Sequence, residues 1–243
     1  MIKVTPKTHL PLKTFMNKGS YEQRLKYAQE LNAKFYERIK TKIVDNSVFP
    51  KDYYTTLKEL IPGIKFSVKS YEKEGLFDST KAQTIVEVDK YDRATSYTLE
   101  IPYTKFDIGE KISIDKFYLA MHENFHLFAS ICNPKHVTRQ DFNSKLEAII
   151  YKFQMYNDLE NLFGRHEKKS WKKNLEINMQ PLSISEKINF LQNCRYRLLE
   201  EKLAWDESKK YATKNINSKH FFFEEKIKII EKMLYKLINE ARK

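Results

Sequence analysis

Glycine is scarce in this chain, at 5 of 243 residues, or about 2% against a usual share of about 7%. Gly19, Gly63, Gly75, Gly109 and Gly164 never fall close together, so no loop can gather backbone N–H groups around a phosphate as GxGxxG and GxxxxGK[ST] loops do. Nucleotide enzymes of those kinds are excluded. Cysteine is equally sparse. Cys132 and Cys194 lie on predicted helices and not in CxxC spacing, which rules out a disulfide framework and points to a reducing compartment. No stretch approaches the ~20 apolar residues of a membrane span. The N-terminus has no apolar segment ending in a small-residue cleavage site. The expected setting is therefore cytoplasmic, or inside a particle assembled in the cell, without membrane contact. Acidic residues are absent from residues 1–21, where Lys3, Lys7, Lys13 and Lys18 alternate with the breaks at Pro6 and Pro11. Residues 1–20 read as an extended basic arm that lies on its own domain or on a protein partner.

What the chain does contain is enough for a sizeable core. Hydrophobic residues make up 41% and aromatic residues 14%, so Phe, Tyr, Ile and Leu can fill an interior and wholesale disorder is excluded. Apolar positions at three- and four-residue steps, Leu25, Ala28, Leu31, Phe35, Ile39 and Ile43, predict one long amphipathic helix over residues 20–46. A short helix is expected over 51–60, ended by Pro62-Gly63. Strands are expected over 64–70, 83–89 and 95–103, where apolar and polar residues alternate, and their short connections favour an antiparallel meander. From residue 114 onward the chain reads as helix, over 114–132, 139–163, 184–213 and 219–242. Without repeats or a clear linker, residues 21–243 read as a single α+β domain.

The chemistry is concentrated in the helix over 114–132, which contains His122-Glu123-Asn124-Phe125-His126, an HExxH pattern. With 6 His and 22 Glu in the chain, chance would supply roughly 0.013 such matches, too few to dismiss this one. At 100° per residue the two histidines lie about 40° apart, one turn from each other, and can share a metal. Ile114, Tyr118, Met121, Phe125 and Phe128 form an adjacent apolar stripe, while Leu119 and Ala129 flank the histidines. A helix buried on several sides places its metal at the floor of a cleft. Glu123 points about 80° from the midline between the histidines. That is close enough to take a proton from a metal-bound water without being a ligand, the role of a general base.

A catalytic zinc needs a third protein ligand and one open position. Ala129 and Cys132 stand where a turn-making glycine and a third histidine would be required for a ligand immediately downstream, so Cys132 reads as a small buried residue. Three later glutamates remain. Glu147 falls on the polar side of its helix, beside Asn143, Tyr151, Gln154 and Asp158. Glu201 is the one charge in a stripe formed by Phe190, Cys194, Leu198, Trp205, Ser208 and Ala212. A carboxylate in such a stripe requires a cation or a metal. Glu200 lies about 100° away on the expected outer face. Glu201 is thus the expected ligand, with Glu147 and Glu200 as the alternatives. His136, Arg197, Tyr211 and His220 could each stabilise an oxyanion, and Asp115 could support a histidine from the first helical turn.

His122-Glu123-x-x-His126 followed by Glu201-Lys202-Leu203-Ala204-Trp205 resembles the gluzincin class of zinc metallopeptidases, in which a glutamate on a later helix, often in an ExxA context, completes the site. The resemblance implies a zincin-like fold, Zn2+ held by His122, His126 and Glu201, Glu123 as general base, and hydrolysis of a protein or peptide substrate lying along a sheet edge, for which residues 95–103 are the expected strand. Two other classes compete. Trp171 among Arg165, Lys168, Lys169, Lys172 and Lys173, in a chain of formal charge +12, would suit a nucleic-acid loop. The dominance of Lys over Arg favours a solvated surface instead. A structural or assembly protein would use the first helix and the last, where Ile227, Ile230, Leu234 and Leu237 share a face, to bind partner subunits.

Overall fold

The computed structural model describes residues 21–70, 72–73, 76–77, 82–88, 94–101, 104–106, 109–113, 116–132, 168–212 and 223–242. The fold is α+β, mostly helical with small three-stranded sheets. The arm expected over residues 1–20 and the helix expected over 139–163 lie outside the described residues. The chain divides into two compact units, and the motif helix contributes to both, to the second as far as His122 and to the first from Glu123 onward.

The first unit opens with helix α1 (Tyr21–Ile39). Its buried side is the predicted stripe of Leu25, Ala28, Leu31, Phe35 and Ile39. A single 3-10 turn over Lys40–Lys42 ends the helix short of the predicted residue 46. Asp45 and Asn46 follow with φ of 48° and 54°, the left-handed pair that closes a two-residue turn between Val44 and Ser47. Strand β1 (Ser47–Val48) then leads to helix α2 (Pro50–Leu60), whose first residue is a proline already set at a helical φ. Gly63, at φ 83°, supplies the turn that ends it. Tyr53 of α2 packs on Phe35 of α1 with ring centroids 4.6 Å apart.

Strands β2 (Phe66–Ser70), β3 (Glu72–Lys73), β4 (Leu76–Phe77), β5 (Gln83–Val88) and β6 (Ala94–Ile101) follow. The expected meander is corrected: the order is β2-β6-β5, with β6 antiparallel to β5 but parallel to β2. Burial explains the order. Tyr97, Leu99 and Ile101 of β6 are all buried, whereas β2 and β5 carry exposed Lys69 and Glu87, residues suited to flanking positions. Two strands that the sequence did not predict, β7 (Thr104–Phe106) and β8 (Gly109–Ser113), form a second sheet ordered β1-β8-β7. There Val48 pairs with Ile112 and both are fully buried.

The second unit is helical. Helix α3 (Phe117–Cys132) contributes its first residues, and α4 (Lys168–Met179), α5 (Ile184–Lys209) and α6 (Phe223–Ala241) form the rest. Helix α5 starts in a capping box, with the Glu186 N–H donating to Ser183 Oγ over 3.3 Å and the Ser183 N–H donating to Glu186 Oε2 over 2.8 Å. Its apolar side, Phe190, Leu191, Cys194 and Leu198, packs with Trp171, Leu175 and Met179 of α4 and with Phe223, Ile230 and Leu234 of α6. Each fully buried side chain of this size stabilises the unit by about 1.5–3 kcal/mol. Arg195 donates to Glu231 over 3.0 Å, tying α5 to α6 at the surface. The apolar side of α6 is thereby occupied within its own unit, as that of α1 is in the first. From Lys168 onward the basic segment around Trp171 is the helix α4 and not a loop, and Arg165 lies outside the described residues. Trp171 is only 1% exposed, so the aromatic ring that a nucleic-acid loop would offer for stacking is inside the core.

Candidate metal centre

The apolar residues of α3 cover more than half of its circumference. Phe117, Met121, Phe125 and Phe128 make one buried stripe, and Ala120, Asn124, Leu127 and Ile131 make the next. The opposite side, with Tyr118, Leu119, His126 and Ser130, is only half-buried, and it carries the histidines. His122 itself is 7% exposed. The helix is fastened by a polar contact inside the first unit, where Asn124 Nδ2 donates to Asn32 Oδ1 of α1 over 2.9 Å. Both asparagines are fully buried. The position inside HExxH that has no chemistry of its own therefore anchors the motif.

Within the second unit, α5 meets His122 at two points one turn apart. Glu201 Oε2 lies 3.7 Å from His122 Nε2, and the Trp205 indole packs on the imidazole with centroids 4.4 Å apart and planes inclined by 51°. His126 follows His122 by one turn of α3, and one ligand atom from each of His122, His126 and Glu201 lies within 4.8 Å of the other two. The two imidazole nitrogens and a carboxylate oxygen form the His2Glu donor set of hydrolytic zinc sites. Tetrahedral bonds of about 2.1 Å would place ligand atoms about 3.4 Å apart, so the 3.7 Å approach is nearly at that spacing. Two imidazoles and a carboxylate gathered in this way could hold a metal ion.

Glu123 meets strand β5 within the first unit. In the first unit Thr84 Oγ1 donates to the Glu123 main-chain oxygen over 2.8 Å and lies 3.0 Å from its Oε2. The fully buried Tyr53 phenol is pushed up by burial and, secondarily, by the charge of Glu123. Glu123 is thus held by the Thr84 hydroxyl of β5. Cys132, at the C-terminal end of α3, is a buried thiol raised by burial to about 12, partly opposed by Arg24. It stays protonated at neutral pH, as a small buried residue.

Two expectations are corrected. Glu200, expected on the outer face, is 8% exposed, and its carboxylate lies 3.7 Å from Arg197. Helix α5 is buried along a second side, through Glu200, Ala204, Glu207 and Ser208, which a search for one apolar stripe does not reveal. Of the edge expected over 95–103, residues 95–101 lie in β6, which is the central strand and not an edge, and residues 102–103 lie outside the described residues. Among the described residues the flanking strands are β2 and β5, and β5 is the one that touches Glu123. Arg197, one of the oxyanion candidates, pairs with Glu200, and Tyr211 lies half-buried just past α5. Glu147, His136, His220 and Asp115 lie outside the described residues. Thr84 and Trp205 also contact the site residues, Thr84 at Glu123 and Trp205 at His122. Trp205 was legible as one turn from Glu201, whereas nothing in the sequence couples Thr84 to Glu123. Comparison with protein-family models, curated proteins and solved structures finds no match for this chain.

Proposed function

We propose that this protein is a zinc-dependent peptidase of zincin type, with His122, His126 and Glu201 as metal ligands and Glu123 as general base. The observation that carries the reading is the convergence of those three ligand atoms within 4.8 Å, with Glu123 on the same helix as both histidines. A protonated His122 paired with Glu201 would also hold those two side chains together. A metal would use both imidazoles as neutral donors together with the carboxylate. Held by these three residues, a zinc ion would lower the pKa of a bound water and polarise a carbonyl. The carboxylate of Glu123 then accepts the proton and returns it to the leaving amine, while the Thr84 hydroxyl holds that carboxylate in one orientation. β5 is a flanking strand whose Thr84 contacts Glu123, and it supports a reading in which the substrate lies extended along β5.

The test is hydrolysis of a quenched-fluorescent peptide library by wild type and by Glu123→Gln, with zinc measured in both. Loss of turnover by at least about 10²-fold with zinc retained supports the assignment, since general-base catalysis contributes about 10²–10⁴-fold. Equal turnover in the two proteins refutes it.

A further inference from the structure

We infer that Trp205 is the positioning residue of His122, so that helix α5 supplies both a metal ligand and the support of the facing imidazole from adjacent turns. The inference rests on the zinc-site reading given above. A histidine side chain on a helix has two torsions, and ligation requires that its ring nitrogen stay aimed at one point. Supports of this kind usually act through a hydrogen bond to the other ring nitrogen, and their loss costs 10–100-fold in metal affinity. Here a flat ring lies against the imidazole. The indole centroid is 4.4 Å from that of His122, at 51°, so rotation of the imidazole about its ring axis drives its edge into the indole. The indole is itself held, since Trp205 is half-buried and packs against the apolar core shared by α4, α5 and α6. Glu201 precedes Trp205 by four residues, and its carboxylate approaches Nε2 of the same imidazole to 3.7 Å. One helix therefore sets both the distance to His122 and the angle of its ring. If Trp205 merely filled space, a side chain of similar bulk without a flat face would serve as well.

The experiment uses the full chain, with zinc affinity measured by competition against a chromophoric chelator for wild type, Trp205→Phe and Trp205→Leu. Phe keeps a flat ring against His122 and is expected to bind zinc close to wild type; Leu is expected to weaken binding by about 10–100-fold with helical content unchanged. Wild-type affinity in a folded Trp205→Leu protein overturns the inference. Emission gives a second readout that does not depend on the Leu variant folding. Trp171 is buried in the core, with the Lys226 ammonium 5.5 Å from its ring, so the fluorescence change on adding zinc is expected to come from Trp205 and to vanish in Trp205→Phe. A change that persists there overturns the inference. If wild type binds no zinc at all, the metal-site reading itself fails and takes this inference with it, an outcome distinct from zinc binding that ignores residue 205.

Discussion

Replacing Thr84 by Val keeps the shape of the side chain and removes one hydroxyl. That hydroxyl lies 2.8 Å from the main-chain oxygen of Glu123 and 3.0 Å from its carboxylate Oε2, and it has a single proton to share between them. A hydrogen bond to a charged group contributes about 1.5–3 kcal/mol when buried. Thr84 and Glu123 are both half-buried, so about 1 kcal/mol is the appropriate figure here. If that energy holds the base in its working orientation, turnover falls about fivefold, since 1.36 kcal/mol corresponds to tenfold. KM and zinc content are expected to stay as in wild type, because β5 supplies no ligand. Thr84→Ser retains the hydroxyl and is expected to recover most of the loss. The assay is steady-state hydrolysis of the best library peptide, with urea unfolding run alongside. Equal rates for the Val and Ser variants, or a loss of zinc in the Val variant, would refute the reasoning.

The buried amide pair makes a second prediction. Asn124→Leu leaves the Asn32 oxygen without that donor and is expected to destabilise the first unit by about 1–3 kcal/mol, whereas Asn32→Leu combined with Asn124→Leu costs less than the two single changes added together. A strictly additive double-mutant cycle in urea would contradict this. The thiols make a third. Burial raises Cys132 to about 12 and Cys194 well above its ordinary value, so neither is expected to react with a thiol reagent at pH 8 until the chain unfolds. The sign follows from the raised folded-state value: an unfolded thiol near pH 8.5 loses its proton first. The contribution of Cys132 is therefore complete below about pH 8.5 and fades as the pH rises toward 12. Cys132→Ala is expected to flatten this alkaline loss, and an unchanged alkaline slope would count against it.

Much of the site was legible because helical geometry alone fixes the separation of residues four apart. His122 and His126 had to share a side of α3 whatever the tertiary fold, and the isolation of Glu201 among apolar residues marked it as needing a partner. Long periodic elements were legible for the same reason: the predicted 184–213 helix is observed as Ile184–Lys209 and the predicted 219–242 helix as Phe223–Ala241. Strand order was not legible, because the alternation in residues 95–103 reports which side faces inward and says nothing about the neighbours on either flank. The same limit applies to Glu200. A period-based stripe identifies one buried side of a helix, whereas α5 is buried on two. Helix α4 was missed because lysines crowd around Trp171 and mask an apolar set, Trp171, Leu175 and Met179, that recurs every four residues.

A metal-dependent reaction requires His122, His126 and Glu201 to act together on one ion. Zinc content by atomic emission, measured on wild type beside Glu201→Ala and Glu147→Ala after equilibration with zinc and removal of excess, tests this directly. About one zinc per chain is expected in wild type and in Glu147→Ala, the occupancy of a single three-ligand site, and little or none in Glu201→Ala. Zinc retained in full by Glu201→Ala would contradict that requirement.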